Sequence, residues 1–249
     1  MIRLSLMTMC LILITPSLGR GEPTNEIRGL LMRFDEPIGM RFTDYSGSGH
    51  TITPVGGVSH SRTERIAGAG SACFDGTGYL RLEASPDFHF QGDLTIDFWF
   101  KSTSTMRQHA LSFGSLTYPQ TNLDFNFADT DIAAPTGPVG FWLYWNSSGS
   151  NMIVSGTRLQ YMDGNWHHVA MVRINGQITA YVDGAVVGNV FDNQALGSPV
   201  QPVFIGSFDS TAQKWTGCID ELRIINGRAL WTSSFNPRLY LAPPLNAFR

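Results

Sequence analysis

Between Leu30 and Ile225 the chain alternates apolar and polar residues in short runs, separated by clusters of Gly, Pro, Asn, Asp and Ser. In Tyr79-Leu80-Arg81-Leu82-Glu83, Leu80 and Leu82 share a face, and in Leu94 to Phe100 the set Leu94, Ile96, Phe98 and Phe100 does the same. Between Trp166 and Ile174 one face carries Trp166, Ala170, Val172 and Ile174, with His168 among them. Successive strand side chains point to opposite faces, so this pattern predicts β-strands with one face turned inward. From Glu26 onward nothing reads as a helix of more than about two turns, given some 3.6 residues per turn.

Turn chemistry agrees with the strands. Asn175-Gly176 and Asp183-Gly184 each sit between alternating segments, and such pairs accept the positive φ angles of two-residue hairpin turns. Residues 166–188 are therefore expected to form a three-strand meander. Residues 102–165 are less regular, with short strands expected near Ala110, Phe125, Phe141 to Trp145 and Ile153. The loops between them are where specificity would sit on a rigid scaffold. No linker divides residues 28–241, so one domain is expected, and many short strands with even turn spacing mean a sandwich or barrel.

The N-terminus changes the picture. Arg3, the apolar run Leu4 to Ile14, Pro16 and Ser17-Leu18-Gly19 form the pattern of a secretory signal peptide over residues 1–19. The alternatives are an uncleaved anchor or a true start at a later Met such as Met32. Residues 20–27 read as a polar linker and 242–249 as a tail. The apolar run is too short to span a bilayer. Cys10 would leave with the signal peptide, and the mature chain would keep Cys73 and Cys218. In an oxidising compartment two such thiols often pair; otherwise they pack as small apolar groups. A net charge of -3, with basic residues scattered, excludes nucleic acid as a partner.

The order of local motifs carries more than any one of them. Leu30-Leu31-Met32-Arg33-Phe34-Asp35 is followed by Asp44-Tyr45-Ser46-Gly47, Phe74-Asp75-Gly76 and Leu94-Thr95-Ile96-Asp97-Phe98-Trp99. Then come Trp166-His167-His168-Val169-Ala170, Ala180-Tyr181-Val182-Asp183-Gly184, Phe204-Ile205-Gly206 and Gly217-Cys218-Ile219-Asp220-Glu221-Leu222-Arg223-Ile224. Gly227-Arg228-Ala229-Leu230-Trp231-Thr232 and Phe235-Asn236-Pro237 end the succession. It resembles the laminin G-like, concanavalin A-like lectin/glucanase superfamily, in the branch common in bacterial secreted and phage structural proteins. The resemblance implies an all-β fold, a jelly-roll sandwich of two antiparallel sheets. It also implies a short helical turn over Gly227 to Trp231, with Phe235 and Pro237 closing the sandwich edge. Relatives often hold a calcium ion, and Asp44 and Asp220, with Asp75 as an addition, resemble positions that supply its oxygens; the alternative is that these Asp residues cap turns. The last strand returns to the early chain in this family, which makes a Cys73–Cys218 disulfide compatible with it.

Hydrolases of this fold carry Glu-x-Asp-x-x-Glu on one strand, aiming carboxylates into one cleft. Glu occurs here only at 22, 26, 36, 64, 83 and 221, and none has that spacing. No enzyme activity is expected. His167-His168 point to opposite strand faces and read as structural. Phe141-Trp142-Leu143-Tyr144-Trp145 has two full faces, one inward and the other exposed or under a second layer. Trp215 and Tyr118 lie in apparent loops and are the candidate ligand contacts. The expected function is recognition: a secreted or periplasmic module binding carbohydrate or a protein surface through edge loops. The alternatives are a structural or decoration protein of a phage or virus particle, and a glycan-active hydrolase.

Overall fold

The computed structural model describes residues 28–39, 41–114, 122–134, 137–147 and 150–241. The expected signal peptide, linker, tail and Tyr118 lie outside the described residues. The chain runs through β1 (Gly29–Met32), β2 (Ile52–Val55), β3 (Val58–Ser61), β4 (Ser71–Asp75), β5 (Tyr79–Leu82) and β6 (His89–Phe90). It continues through β7 (Leu94–Lys101), β8 (Gln108–Gly114), β9 (Asn122–Ala134), β10 (Gly137–Asn146) and β11 (Ser150–Thr157). One helical turn, α1 (Arg158–Tyr161), precedes β12 (His167–Ile174), β13 (Gln177–Val182) and β14 (Ala185–Phe191). Last come β15 (Leu196–Gly197), β16 (Val203–Ile205) and β17 (Thr216–Asn226).

Two large antiparallel sheets result. Sheet I has eight strands in the order β14-β13-β12-β7-β17-β4-β3, with β1 also paired to β17. Sheet II has seven, ordered β11-β10-β9-β8-β16-β5-β2. This is the expected two-sheet sandwich, and β12 to β14 are the expected meander. Asn175 and Gly176 (φ 49 and 82) and Asp183 and Gly184 (φ 50 and 78) are left-handed at both central turn positions, as type I′ hairpins require. Strands β9 to β11 are longer than expected. Their Asn, Asp, Gly and Ser content is poor in strand formers, and pairing between β9 and β10 over most of their length overrides it.

The inner faces interlock through aromatic rings. Phe98 and Phe100 of sheet I meet Phe125 and Phe127 of sheet II, with ring centroids 5.4 Å and 4.4 Å apart. Phe141, Leu143 and Trp145 join them from β10. Each such side chain contributes roughly 1.5–3 kcal/mol on burial.

The outer face of sheet I is also covered. Ala170 and Val172 do not face the main core; they pack with Tyr181 under Trp231. The strand is buried on both faces, and the segment after β17 supplies the cover. The expected helical turn over Gly227 to Trp231 is absent. The Leu230 amide donates to Thr95 Oγ1 (2.9 Å), which donates to the Arg228 carbonyl (2.9 Å), so the segment bonds across to β7 rather than to itself. Trp231 stacks on Phe235 at 3.9 Å. The Phe235 ring lies 5.3 Å from Tyr181 over the sheet, and its amide donates to the Gly184 carbonyl (2.9 Å) in the turn between β13 and β14. Beneath, Arg223 holds Asp97 with two 2.9 Å bonds and His168 Nε2 lies 3.2 Å from the same carboxylate. Burial opposes the Asp97 charge, but Arg223 and His168 overcome it and hold its pKa low.

Cys73 and Cys218 are direct partners in the β4–β17 register and are disulfide-bonded, with Cα atoms 4.0 Å apart. The closed loop spans 145 residues. Constraining so long a loop in the unfolded chain contributes about 3–5 kcal/mol. A Cys73→Ala/Cys218→Ala double variant should therefore lose roughly 6–20 °C in melting temperature. An unchanged melting temperature would show that the bond contributes nothing.

Candidate functional site

The outer face of sheet II is set by what its inner face must do. Leu123, Phe125 and Phe127 point into the core, so Asn122, Asp124 and Asn126 point out. Register then assembles rows across the strands. His109, Asn126, Trp142 and Val154 are successive neighbours, and Ser112, Asp124, Tyr144 and Met152 form the next row. Asn122 and Asn146 lie opposite one another in a third. A bulge between His109 and Leu111 in β8 keeps both His109 and Ser112 on this face.

The polar part of this face is buried although it points away from the core. His109, Ser112, Asn122, Asp124 and Asn126 are each at most 2% exposed. Ser112 Oγ donates to Asp124 Oδ1, and Asn122 Nδ2 donates to Asp124 Oδ2 at 2.7 Å. Both ring nitrogens of His109, Oδ1 of Asn122, Asn126 and Asn146, and Nε1 of Trp142 have no hydrogen-bond partner among the described residues. A buried polar atom left so costs about 1–3 kcal/mol, and native structures keep such atoms few. Six such atoms gather on this patch, while others, Trp215 Nε1 and Trp231 Nε1 among them, lie elsewhere in the described residues.

The rim is aromatic. Trp142 and Tyr144 are half-buried and meet edge to face at 5.5 Å. The Arg107 guanidinium lies 5.1 Å over the Trp142 ring, and Tyr144 Oη bonds Ser150 Oγ at 3.0 Å. The loop Ser207 to Gln213 closes the other side, with Phe208 4.9 Å from the His109 ring. Asp209 Oδ1 shapes that loop by accepting from the amides of Thr211 (2.6 Å) and Ala212 (2.9 Å). The His109 amide donates to the Gln213 carbonyl at 3.0 Å, tying loop to strand.

Charge in the patch is suppressed. Burial pushes the Asp124 carboxyl up to about 7, against the pull of Ser112, Asn122 and Arg107. Burial, with Arg107 adding to it, pushes His109 down to about 3, against Gln213 and Asp209. Gln213 sits beside the ring without reaching hydrogen-bonding geometry. His109 is therefore neutral near pH 7 and Asp124 is poised at its midpoint. Around Asp124 the cross-strand neighbours are Ser112 and Tyr144 and the same-strand neighbours Asn122 and Asn126, none a carboxylate.

The residues singled out in the sequence fall elsewhere. Trp215 is a correction: it is fully buried, packed 5.2 Å from Phe127 and 6.1 Å from Phe100. It precedes β17 immediately, and the core between the sheets takes its ring. Asp44 accepts from the amides of Leu31 (3.1 Å), Ser46 (2.8 Å) and His50 (2.8 Å) and from Ser46 Oγ (2.8 Å). Those four donors fill the lone pairs of a carboxylate. Asp220 accepts from the amides of Ile66 (2.9 Å), Ala67 (3.4 Å) and Glu221 (2.8 Å). Burial pushes its carboxyl up to about 8, against the Ile66 and Ala67 amides and with Glu221 adding to the shift. Asp75 caps its own turn through Thr77. In this arrangement the carboxylates of all three accept hydrogen bonds from nearby protein groups. Among the described residues no group of three or more His, Cys, Asp or Glu is arranged to hold a metal ion. Of this site the sequence singled out the aromatic run Phe141 to Trp145 and not the polar residues opposite it, although Asn122-Leu123-Asp124-Phe125-Asn126-Phe127 alternates without a break.

A pH test follows from Asp124. Its pKa rises from 3.8 unfolded to about 7 folded, so between those values the folded state holds the extra proton and its stability falls as pH rises. Asp124→Asn cannot ionise, and an amide flip of Asn122 can present its Oδ1 to the new NH2. The variant should match the parent near pH 4, gain on it progressively to about pH 7 by roughly 2–4 kcal/mol, and gain no more above. Parallel denaturation curves of parent and variant across that window would refute the assignment.

No curated protein matches the chain. Solved structures do. The binding domain of Paraclostridial mosquitocidal protein 1 superposes with a TM-score of 0.64 at 11% identity, over 88% of this chain and 52% of that one. The receptor binding domain of botulinum neurotoxin type G gives 0.61 at 15% identity, over 86% and 51%. The chain thus spans about half the length of these two toxin domains. Domain 4 of AbnA, an extracellular arabinanase from Geobacillus stearothermophilus, solved with arabinotriose, gives 0.59 at 18% identity, over 86% and 97%. Likeness at these identities establishes the fold. The sequence profile of the concanavalin A-like lectin/glucanases superfamily, of laminin G type, matches residues 74–232. With that match over more than half its length, the chain belongs to the concanavalin A-like lectin/glucanase superfamily.

Proposed function

We propose that this protein is a secreted, non-catalytic recognition module that binds carbohydrate on the outer face of sheet II. The observation that carries the reading is the patch of buried, unpartnered amide, imidazole and indole atoms beside the half-buried Trp142 and Tyr144. Sugar sites combine a flat aromatic surface with a few fixed polar groups, as small-molecule sites do generally. The likeness in fold to an arabinanase domain solved with arabinotriose supports the ligand class. Recognition without hydrolysis is supported by Asp124 having Asn122 and Asn126 on its strand where a retaining glycosidase needs a second carboxylate about 5 Å away. The Cys73–Cys218 disulfide supports an oxidising compartment, hence secretion or a periplasmic location.

A functional patch and a structural one respond oppositely to the same change. Asn126→Leu removes a buried acceptor that no group among the described residues satisfies. It should leave the melting temperature unchanged or raise it by a few degrees, as removal of an unsatisfied polar atom does. The same variant should retard at least about tenfold less than the parent on affinity gels cast with arabinan, xylan or mixed-linkage glucan, each tenfold being about 1.4 kcal/mol. Trp142→Ala should weaken retardation comparably. An Asn126→Leu protein that melts lower and is retarded as strongly as the parent would place these residues in folding instead.

A further inference from the structure

We propose that the Arg65–Ile66 peptide bond is a processing site for an endoprotease of trypsin-like specificity, and that the amine released at Ile66 pairs with the buried Asp220 carboxylate. The proposal is independent of the sheet II site.

Residues 62–70 join β3 to β4 without helix or strand. Exposed chain without regular structure is where endoproteases cut. Arg62, Thr63 and Arg65 are exposed, and an exposed arginine is what a trypsin-type pocket takes immediately before the cut. The Arg65 guanidinium donates to the Arg62 carbonyl within the same loop. Beyond Arg65 the segment is pinned by two carboxylates. Asp35 accepts from the amides of Ala69 and Gly70, and Asp220 from those of Ile66 (2.9 Å) and Ala67 (3.4 Å). Ahead of it Glu64 is paired with Lys101 at 2.6 Å.

Asp220 is fully buried, and among the described residues no Lys, Arg or His lies within ion-pair distance of it. Glu221, beside it, carries the same sign, and burial pushes the Asp220 carboxyl up to about 8. A buried carboxylate held only by amides gains from a cation placed against it. Hydrolysis would supply that cation in place. One water adds across the Arg65–Ile66 bond. The C–N bond breaks, the water oxygen completes the Arg65 carboxylate, and both hydrogens end on the Ile66 nitrogen as ammonium. Any proton on Asp220 is released to solvent. The nitrogen already lies 2.9 Å from Asp220 Oδ2, so no rearrangement is needed. A charge-assisted bond, roughly twice as strong, replaces a weaker one.

The position of the cut matters. Cleavage after Arg62 would free Thr63, which has no carboxylate partner among the described residues; its hydroxyl meets Ser61 Oγ at 3.4 Å. Cleavage after Arg65 leaves the first piece held by the pairing of β1 with β17, β2 with β5 and β3 with β4. The Cys73–Cys218 disulfide lies wholly within the second piece. The new pair would fasten the loop to β17 two residues from that disulfide, at the register shift that follows Asp220.

The test digests the folded full chain briefly with trypsin, sequences the new N-terminus, and follows acetylation of the Ile66 amine against pH by mass spectrometry. A terminus reading Ile66-Ala67-Gly68 should appear, and Arg65→Gln should abolish it. In the nicked protein the amine should titrate at least about one unit above the ordinary value of about 7.7–8.0, so that near neutrality it reacts at least about tenfold more slowly than in denaturant. Nicked Asp220→Asn should lose that upward shift; should this variant not fold, the pH profile of the nicked parent decides alone, because an amine merely buried without a partner titrates below the ordinary value. Digestion that leaves the Arg65–Ile66 bond intact would overturn the processing site. An Ile66 amine that titrates at or below the ordinary value would overturn the pair with Asp220.

Discussion

The arrangement of sheet II follows from one constraint: the rings that lock the two sheets together. Phe98 and Phe100 meet Phe125 and Phe127, and Trp215 closes on Phe100 and Phe127. Because strand side chains alternate, committing Leu123, Phe125 and Phe127 inward commits Asn122, Asp124 and Asn126 outward in fixed register with Trp142 and Tyr144. A slip of one residue would bring the asparagines into the core and send the phenylalanines out. The energy of the aromatic core, roughly 1.5–3 kcal/mol per ring buried, thus also fixes the geometry of the polar patch. That energy offsets the cost of holding unpartnered atoms there.

Strand β17 gives sheet I a comparable anchor. One of its edges follows β7 from Cys218 to Asn226, with a register shift between Asp220 and Arg223. The other edge is divided between β4, at Thr216 to Ile219, and β1, at Leu222 to Ile225. At the break Glu221 turns to φ 49 and the Asp220 carboxyl gathers the amides of Ile66 and Ala67. The disulfide fastens β17 to β4 beside this break. The Trp231–Phe235 stack, the Arg223–Asp97 pair and His168 then cover the outer face. The centre of sheet I is thereby covered on both sides, while sheet II carries half-buried aromatics at its outer surface.

Much of the fold was legible because local chemistry and tertiary demand agree. Leu94 to Phe100 alternates and its apolar set is in the core; Asn175-Gly176 and Asp183-Gly184 make the turns their types require. Legibility failed where tertiary context decides. Ala170 and Val172 alternate like an inner face yet lie under Trp231, because a strand buried on both sides has no unique apolar face. Trp215 sits among loop-forming residues, and only the packing of both sheets reveals that its ring belongs to the core. Asp44 and Asp220 carry the right oxygens for an ion, but neighbouring amides, invisible in the sequence, claim them. The patch itself was half legible. Its alternation stands in the sequence, but polar residues in that pattern read as a solvated face, and their burial depends on strands distant along the chain.

The central claim is that ligand meets the protein at the polar patch of sheet II. The most direct measurement is a side-chain 1H–15N spectrum of the full chain titrated with a neutral glycan. The account predicts that the indole N–H of Trp142 and the amides of Asn122 and Asn126 shift together, saturating with one affinity, while the indoles of Trp215 and Trp231 stay in place. Shifts confined to Trp231 and its neighbours over sheet I, with the signals of Trp142, Asn122 and Asn126 unmoved, would contradict it.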